Sequence, residues 1–219
     1  MENKDKKMYL YGKRFWNVVA KLYTPVQERT NRELYRQLAV LCTPYIKKDD
    51  RVLELACGTG QLTLPLWKQA AFWEATDYSE PMIRELSKRC PPELSIAVRD
   101  ATALPYADGA FQVVLMANAL HIMPQPKLAL NEIHRILSSG GIFLVPTFVY
   151  EGKVNRLRMK WMKLFGFPSC HEWTMAELME FVEQAGFRTL EHSLVEGDPL
   201  PEGFLAVVKL EASRPAGER

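Results

Sequence analysis

The stretch Val52-Leu-Glu-Leu-Ala-Cys-Gly-Thr-Gly60 constrains this chain more than any other. It opens as a short apolar run, Val52 to Leu55, broken by one carboxylate at Glu54. It closes in a turn of small residues, Ala56, Gly58 and Gly60. Gln61 to Gln69 then reads as a helix. Strand, glycine turn and helix form the first half of a nucleotide-binding βαβ unit. Glycine serves there because the backbone approaches a ligand closely and the turn needs φ > 0.

Two ligand classes compete for such a turn. A dinucleotide site takes G-x-G-x-x-G, with the pyrophosphate on the helix N-terminus. Here Gln61, Leu62 and Thr63 follow Gly60, so the third glycine is missing, which disfavours an NAD-dependent oxidoreductase. The acid before the turn gives instead Glu-x-Ala-x-Gly-x-Gly, over Glu54, Ala56, Gly58 and Gly60. That pattern resembles motif I of the class I S-adenosylmethionine (SAM) methyltransferases, which usually have glycine where this chain has Ala56. SAM carries an ammonium, a carboxylate and a sulfonium. A strand-end carboxylate suits the cations, and N–H groups at the helix start suit the carboxylate.

Further stretches extend the resemblance. Ala71 to Asp77 reads as a second strand ending in an acid. Asp77 lies about twenty residues past the turn, where such folds place the carboxylate that accepts from ribose hydroxyls. Tyr78-Ser-Glu-Pro-Met82 resembles the family's turn into the next helix, with Tyr78 placed against adenine. Val98-Arg-Asp100-Ala101 and the run to Gly109 resemble the family's third motif. The resemblance implies that Asp100 accepts from the adenine amino group and that the Ala101 N–H faces a ring nitrogen. A fourth strand, Ala110 to Met116, leads to Asn118 and His121, the polar groups expected nearest the sulfonium. His121 reads either as a general base or as a packing residue. The family has Asp at the Gln112 position. That end of the strand lies away from the ligand, so the change concerns a structural contact. Arg135 to Gly141 resembles the family's helix end, with glycines as a left-handed C-cap before strand five, Ile142 to Pro146.

The flanks are read from pattern. Residues 1–46 form an expected N-terminal helical cap, with a break at Tyr23-Thr-Pro25 and a second helix from Gln27 to Leu41. Ala20-Lys-Leu-Tyr23 resembles the A-x-x-Y element that caps the cofactor; the other reading of Tyr23 is a core anchor. Residues 147–173 belong to no core element. Lys153, Arg156, Arg158, Lys160 and Lys163 alternate with Val154, Leu157, Trp161, Leu164 and Phe165 as a basic amphipathic helix. It reads as a lid, a membrane-surface helix or a plain insertion. His171 within it is a second candidate base. Thr174-Met-Ala-Glu177 is a capping box opening a helix to Ala185. Phe187 to Val195 and Gly203 to Leu210 are expected as an antiparallel pair. Ala212 to Arg219 is expected to be a tail without fixed structure.

The expected fold is α/β: a Rossmann-like, doubly wound, seven-stranded sheet, mostly parallel with an antiparallel C-terminal hairpin, in one domain over residues 1–219. Hydrophobic content of 47% supports one core, and a net charge of +2 gives no reason to expect a nucleic-acid partner. Cys42, Cys57, Cys90 and Cys170 show no C-x-x-C pair, so no metal site is expected and a reducing cytoplasm fits. No apolar run is long enough to span a bilayer, which leaves only peripheral membrane contact open. The chain is expected to be a monomer or homodimer. The resemblance implies transfer of the SAM methyl group to an O, N or S atom of a small molecule, leaving S-adenosylhomocysteine. A lipid- or quinone-directed enzyme at a membrane surface and a non-catalytic SAM-binding protein are the alternatives.

Overall fold

The computed structural model describes residues 14–21, 23, 25, 27, 29–152, 157, 160, 164, 170–197 and 200–210. Among the described residues eight strands make one sheet: β1 (Arg51–Leu55), β2 (Phe72–Asp77), β3 (Ser95–Val98), β4 (Phe111–Met116), β5 (Leu137–Leu144), β6 (Thr147–Phe148), β7 (Phe187–Val195) and β8 (Glu202–Lys209). The order runs β3-β2-β1-β4-β5-β8, with β7 on the far side of β8. The first five strands are parallel, and β8 is antiparallel to β5 and β7.

The expected count of seven is corrected to eight, and Pro146 is the reason. A proline supplies no N–H to a ladder. Strand five therefore breaks at Val145-Pro146 into β5 and β6, and both pieces still pair with β8. A second correction concerns Gly140 and Gly141. The helix before them ends with Leu137 in extended backbone, and no glycine caps it. Gly140, at φ 67°, lies inside β5, beside a register shift between Phe111 and Val113. It forms an irregularity in the strand.

The helices follow their sequence signals. Helix α1 is described over residues 14–21, and α2 spans Arg32–Cys42. Every described position from 14 to 30 is helical, including Tyr23 and Pro25, so the expected break there is absent at those positions. The helix after the glycine turn is shorter than expected. Helix α3 is Thr63–Leu66, followed by a 3-10 turn over Trp67–Gln69. Ser79 caps α4 (Glu80–Ser87) by accepting from Met82 N. Pro126 opens α5 (Pro126–Ile136), and the Thr174/Glu177 capping box opens α6 (Met175–Glu183).

Alternation along the strands divides the core by sheet face. Leu53, Leu55, Val114 and Phe143 pack with α5 and α6. Val52, Ala75, Leu115, Phe204 and Ala206 pack with α2 and α4. Gln112 accepts from Arg51 N at 2.9 Å, a structural contact at the sheet end away from the ligand side. The basic segment after β6 lies mostly outside the described residues, as do Trp161, Phe165, Phe167 and the tail. Within it, Leu157, Lys160 and Leu164 are helical and exposed.

Candidate functional site

One cavity of about 1130 Å³, its mouth included, opens where β1, β2 and β4 end. Three turns build it. After β1 the backbone enters the left-handed region at Ala56 (φ 54°), Gly58 (φ 56°) and Gly60 (φ 92°). For alanine that conformation costs roughly 1–2 kcal/mol, strain of the kind ligand sites concentrate. A Cβ on Gly58 would meet the Tyr23 ring at 3.4 Å, and one on Gly60 would stand 2.5 Å from Leu86 Cδ1 of α4. Gly60 thus allows α4 to pack close to the turn. Asp77 ties the first turn to the second: Gly58 N donates to one carboxylate oxygen at 2.9 Å and Ser79 N to the other at 2.7 Å. Each oxygen keeps lone-pair capacity for a further donor.

The N-terminal helix closes the cavity from above. Ser79 Oγ donates to Asn17 Oδ1 at 2.7 Å, and the Trp16 and Tyr23 rings meet edge to face at 5.8 Å. Trp16, Tyr23 and Tyr35 of α2 line the cavity. The Tyr35 hydroxyl interacts with Tyr23 and Asn118, and burial pushes both tyrosines up, Tyr23 to about 12.

Charge sets the character of the site. Glu54 is 2% exposed and accepts from Trp73 Nε1 at 3.0 Å. Burial pushes it up to about 7, against lowering hydrogen bonds and with a raising contribution from Asp77. Burial pushes Asp77 up to about 6, although its backbone N–H partners lower it. Glu202, at the start of β8, is pushed up to about 8, again by burial. None of these acids has a Lys or Arg partner among the described residues. Buried carboxylates without cations favour a cationic ligand.

Glu54, Ala56, Gly58, Asp77, Tyr78, Met82, Asp100, Ala101 and Asn118 all line this cavity with Tyr23. Gly60 underlies it. Asp100 Oδ1 accepts from Thr102 N at 2.9 Å and from its hydroxyl at 2.7 Å. Asn118 sits at φ 54°, held by its N–H on Pro146 O at 2.8 Å. Neither histidine lines the cavity. His121 is buried, its Nδ1 2.8 Å from Thr147 Oγ1 and its ring against Phe148. Burial pushes it down to about 3, so it is neutral at ordinary pH. His171 stacks on Trp173, and its Nε2 lies 3.1 Å from the carbonyl oxygen of Met123, a residue that lines the cavity. A carbonyl only accepts, so Nε2 carries the proton and Nδ1 the lone pair.

Tyr35, Trp16, Arg99 and Met123 at the cavity and Glu202 beside it escaped the reading of motifs. For Glu202 a signal existed: a lone acid beginning an otherwise apolar strand. The cavity accommodates SAM on three counts. Glu54 offers a buried carboxylate to its cationic groups, Asp77 retains capacity for ribose hydroxyls, and the left-handed turn at Gly58 brings backbone to the cavity beneath Tyr23.

The comparisons with known proteins agree. Residues 53–145 match the methyltransferase domain family. A demethylmenaquinone methyltransferase of Renibacterium salmoninarum is 37% identical over 98 residues, which is 45% of this chain and 41% of that protein. A ubiquinone/menaquinone biosynthesis C-methyltransferase, UbiE, of Neisseria meningitidis is 32% identical over 155 residues, 67% of this chain and 62% of that protein. The chain thus spans less than half the length of the first curated relatives it matches. Among solved structures, the Burkholderia thailandensis 1,6-didemethyltoxoflavin-N1-methyltransferase, with S-adenosylhomocysteine bound, superposes with a TM-score of 0.76 at 18% identity, covering 94% of this chain and 91% of that one. The cyclase SpnF shares the fold at a TM-score of 0.66 and 19% identity, covering 80% and 81%, so the fold alone does not fix the reaction. Motifs, cavity and family match together identify residues 53–145 as a class I methyltransferase domain whose cofactor is S-adenosylmethionine.

Proposed function

We propose that the protein transfers the SAM methyl group to a small hydroxylated aromatic, with a hydroquinone as the leading acceptor class. The observation that carries the transfer reading is the joining of the first two motif turns at Asp77, beneath Tyr23, in a cavity whose buried acids Glu54 and Asp77 have no Lys or Arg partner among the described residues. The quinone-directed relatives support the acceptor class. When bound, SAM supplies a methyl group already activated on a sulfonium.

The chain's own residues then have three tasks. Asp77 and Asp100 hold the nucleoside, with Tyr78 and Met82 as apolar walls. Glu54 and the turn from Ala56 to Gly60 hold the amino-acid end. Tyr23, Trp16 and Tyr35 exclude water from the acceptor side. Orientation of this kind can remove on the order of 7–11 kcal/mol from a barrier at best. His171, behind the lining residue Met123, keeps a lone pair on Nδ1 and is the proposed base for an acceptor hydroxyl; His121 acts through packing.

We read residues 1–219 as one domain, with 1–46 as its cap and 147–173 as its lid. Leu157 and Leu164 are 69% and 76% exposed, one heptad apart, with Lys160 exposed between them. That favours contact with a lipid surface, from which an apolar acceptor enters. No helix among the described residues is long and apolar enough to cross a membrane. The test is a panel of hydroxyl, amine and thiol acceptors, read by release of S-adenosylhomocysteine. Turnover on a hydroquinone supports the reading. No turnover on any acceptor, with SAM bound, supports the non-catalytic alternative.

A further inference from the structure

Glu202 is fully buried, and the mechanism above leaves it unused. Its Oε1 accepts from Asn118 Nδ2 at 2.8 Å. Among the described residues its Oε2 is buried and has no hydrogen-bond partner, and the same holds for Asn118 Oδ1. Two neighbouring residues therefore each carry a buried oxygen that lacks a donor among the described residues. Buried acceptors in that condition are destabilising, and native proteins rarely leave them so. An ionised carboxylate and an amide oxygen can only accept, so whatever completes this pair brings O–H or N–H.

The sheet order says which ligand is near. Asp100 follows β3, Asp77 ends β2 and the glycine turn follows β1, so the cofactor's motifs run from the sheet edge inward. Asn118 follows β4, next in order, and β5 and β8 come after it. β8 runs antiparallel to β5, so its first residue, Glu202, sits at the end of the sheet where the parallel strands finish. By strand alternation Glu202 shares a face with Phe204 and Ala206, the face that also carries Val52 and Ala75 and hence Glu54 and Asp77. Asn118 lines the cavity and Glu202 lies against it at 2.8 Å without lining the cavity itself, so the pair continues the line of the cofactor groups past the cofactor's motifs.

We infer that Glu202 and Asn118 form the polar anchor of the methyl acceptor and select one that presents a hydrogen-bond donor, a phenolic hydroxyl in the first instance. Glu202 also orients the Asn118 amide: with Nδ2 turned to the carboxylate, Oδ1 is left for the ligand. The inference rests on the methyltransferase reading but can fail without it.

The test pairs a naphthohydroquinone, kept reduced, with its dimethyl ether, which has the same ring and no donor. Each is titrated into protein saturated with S-adenosylhomocysteine. Wild type should bind the hydroquinone about tenfold or more tightly than the ether. In Glu202→Gln, whose amide donates to either oxygen, the ratio should fall below about threefold. Affinity for S-adenosylhomocysteine should stay at the wild-type value. Equal affinity of wild type for hydroquinone and ether overturns the anchor, and that measurement needs no variant. An unchanged ratio in a folded Glu202→Gln also overturns it. So does a tenfold loss of S-adenosylhomocysteine affinity in the variant, which would assign the two oxygens to the cofactor. If wild type fails to bind S-adenosylhomocysteine at all, the methyltransferase reading itself fails.

Discussion

On the β3-β2-β1 side of the cavity, turns that follow strands do the holding with backbone. Asp77 takes Gly58 N and Ser79 N, and Asp100 takes Thr102 N. On the β4-β5-β8 side, side chains from remote elements meet. Asn118 reaches Glu202 across 84 residues, Tyr35 arrives from α2, and Cys170 N and His171 N both donate to His121 O. Turn geometry of the first kind accepts few substitutions and suits one fixed ligand. Side chains of the second kind can be exchanged without disturbing the turns, so they can set the acceptor.

The largest expected effect tests the first side. Asp77→Ala removes the acceptor for two backbone N–H groups and, on the proposed reading, for the ribose hydroxyls. SAM affinity should fall by roughly 1.5–3 kcal/mol, about tenfold to a hundredfold, in a protein that remains folded. Unchanged affinity by calorimetry would remove Asp77 from the cofactor site. Next comes Gly60→Ala, which forces a Cβ to 2.5 Å from Leu86 at φ 92°. Overpacking and strain together should cost about 2 kcal/mol, read as a lower melting temperature. A variant as stable as wild type would show that α4 can withdraw freely from the turn.

The same contrast explains what was legible in the sequence. Turn chemistry is local: a glycine, an acid and a cap lie within a few residues of each other, so Glu54 to Gly60, Asp77 to Met82 and Asp100-Ala101 could all be read. Strands β7 and β8 were legible as the runs that follow the helix opened by the Thr174/Glu177 capping box. The meeting of Asn118 with Glu202 depends on β8 inserting beside β5, and no local pattern encodes that register. Tyr35 looked like one more residue on an amphipathic helix. His121 fell in the stretch after a strand where polar groups were expected near the ligand, but its burial depends on Thr147 and Phe148. The split of strand five was signalled by Pro146, while Gly140 was misread because a left-handed glycine serves a helix cap and a strand irregularity equally well.

A medium-sized effect spans both sides. Glu54, Asp77 and Glu202 have folded values of about 7, 6 and 8, all above their ordinary range. Native protein therefore keeps protons that the unfolded chain has already lost. Their contribution to stability is full below about pH 4 and is lost as pH rises through about 6 to 8. The ligand-free melting temperature should fall by several degrees between pH 5 and pH 8, measured by calorimetry. SAM, as a cation, favours the ionised forms of Glu54 and Asp77, the two of these acids that line the cavity, so its stabilising shift should grow as pH rises through about 6 to 7. A shift that is flat or shrinks with pH would mean that these acids do not face the ligand's charge.

The smallest expected effect sharpens adenine recognition. Asp100→Asn keeps an oxygen for Thr102 but offers an amide N–H to the adenine amino group. The preference for SAM over its inosine analogue should narrow by about tenfold at most, with stability near wild type. An unchanged preference would assign Asp100 to the turn alone.

The central claim is that this cavity is a SAM site and not a dinucleotide site. Parallel calorimetric titrations of the wild-type protein with SAM, S-adenosylhomocysteine and NAD test it most directly. SAM and S-adenosylhomocysteine should each bind one-to-one, and NAD should give no measurable heat of binding. Saturable binding of NAD together with no binding of SAM would contradict the account.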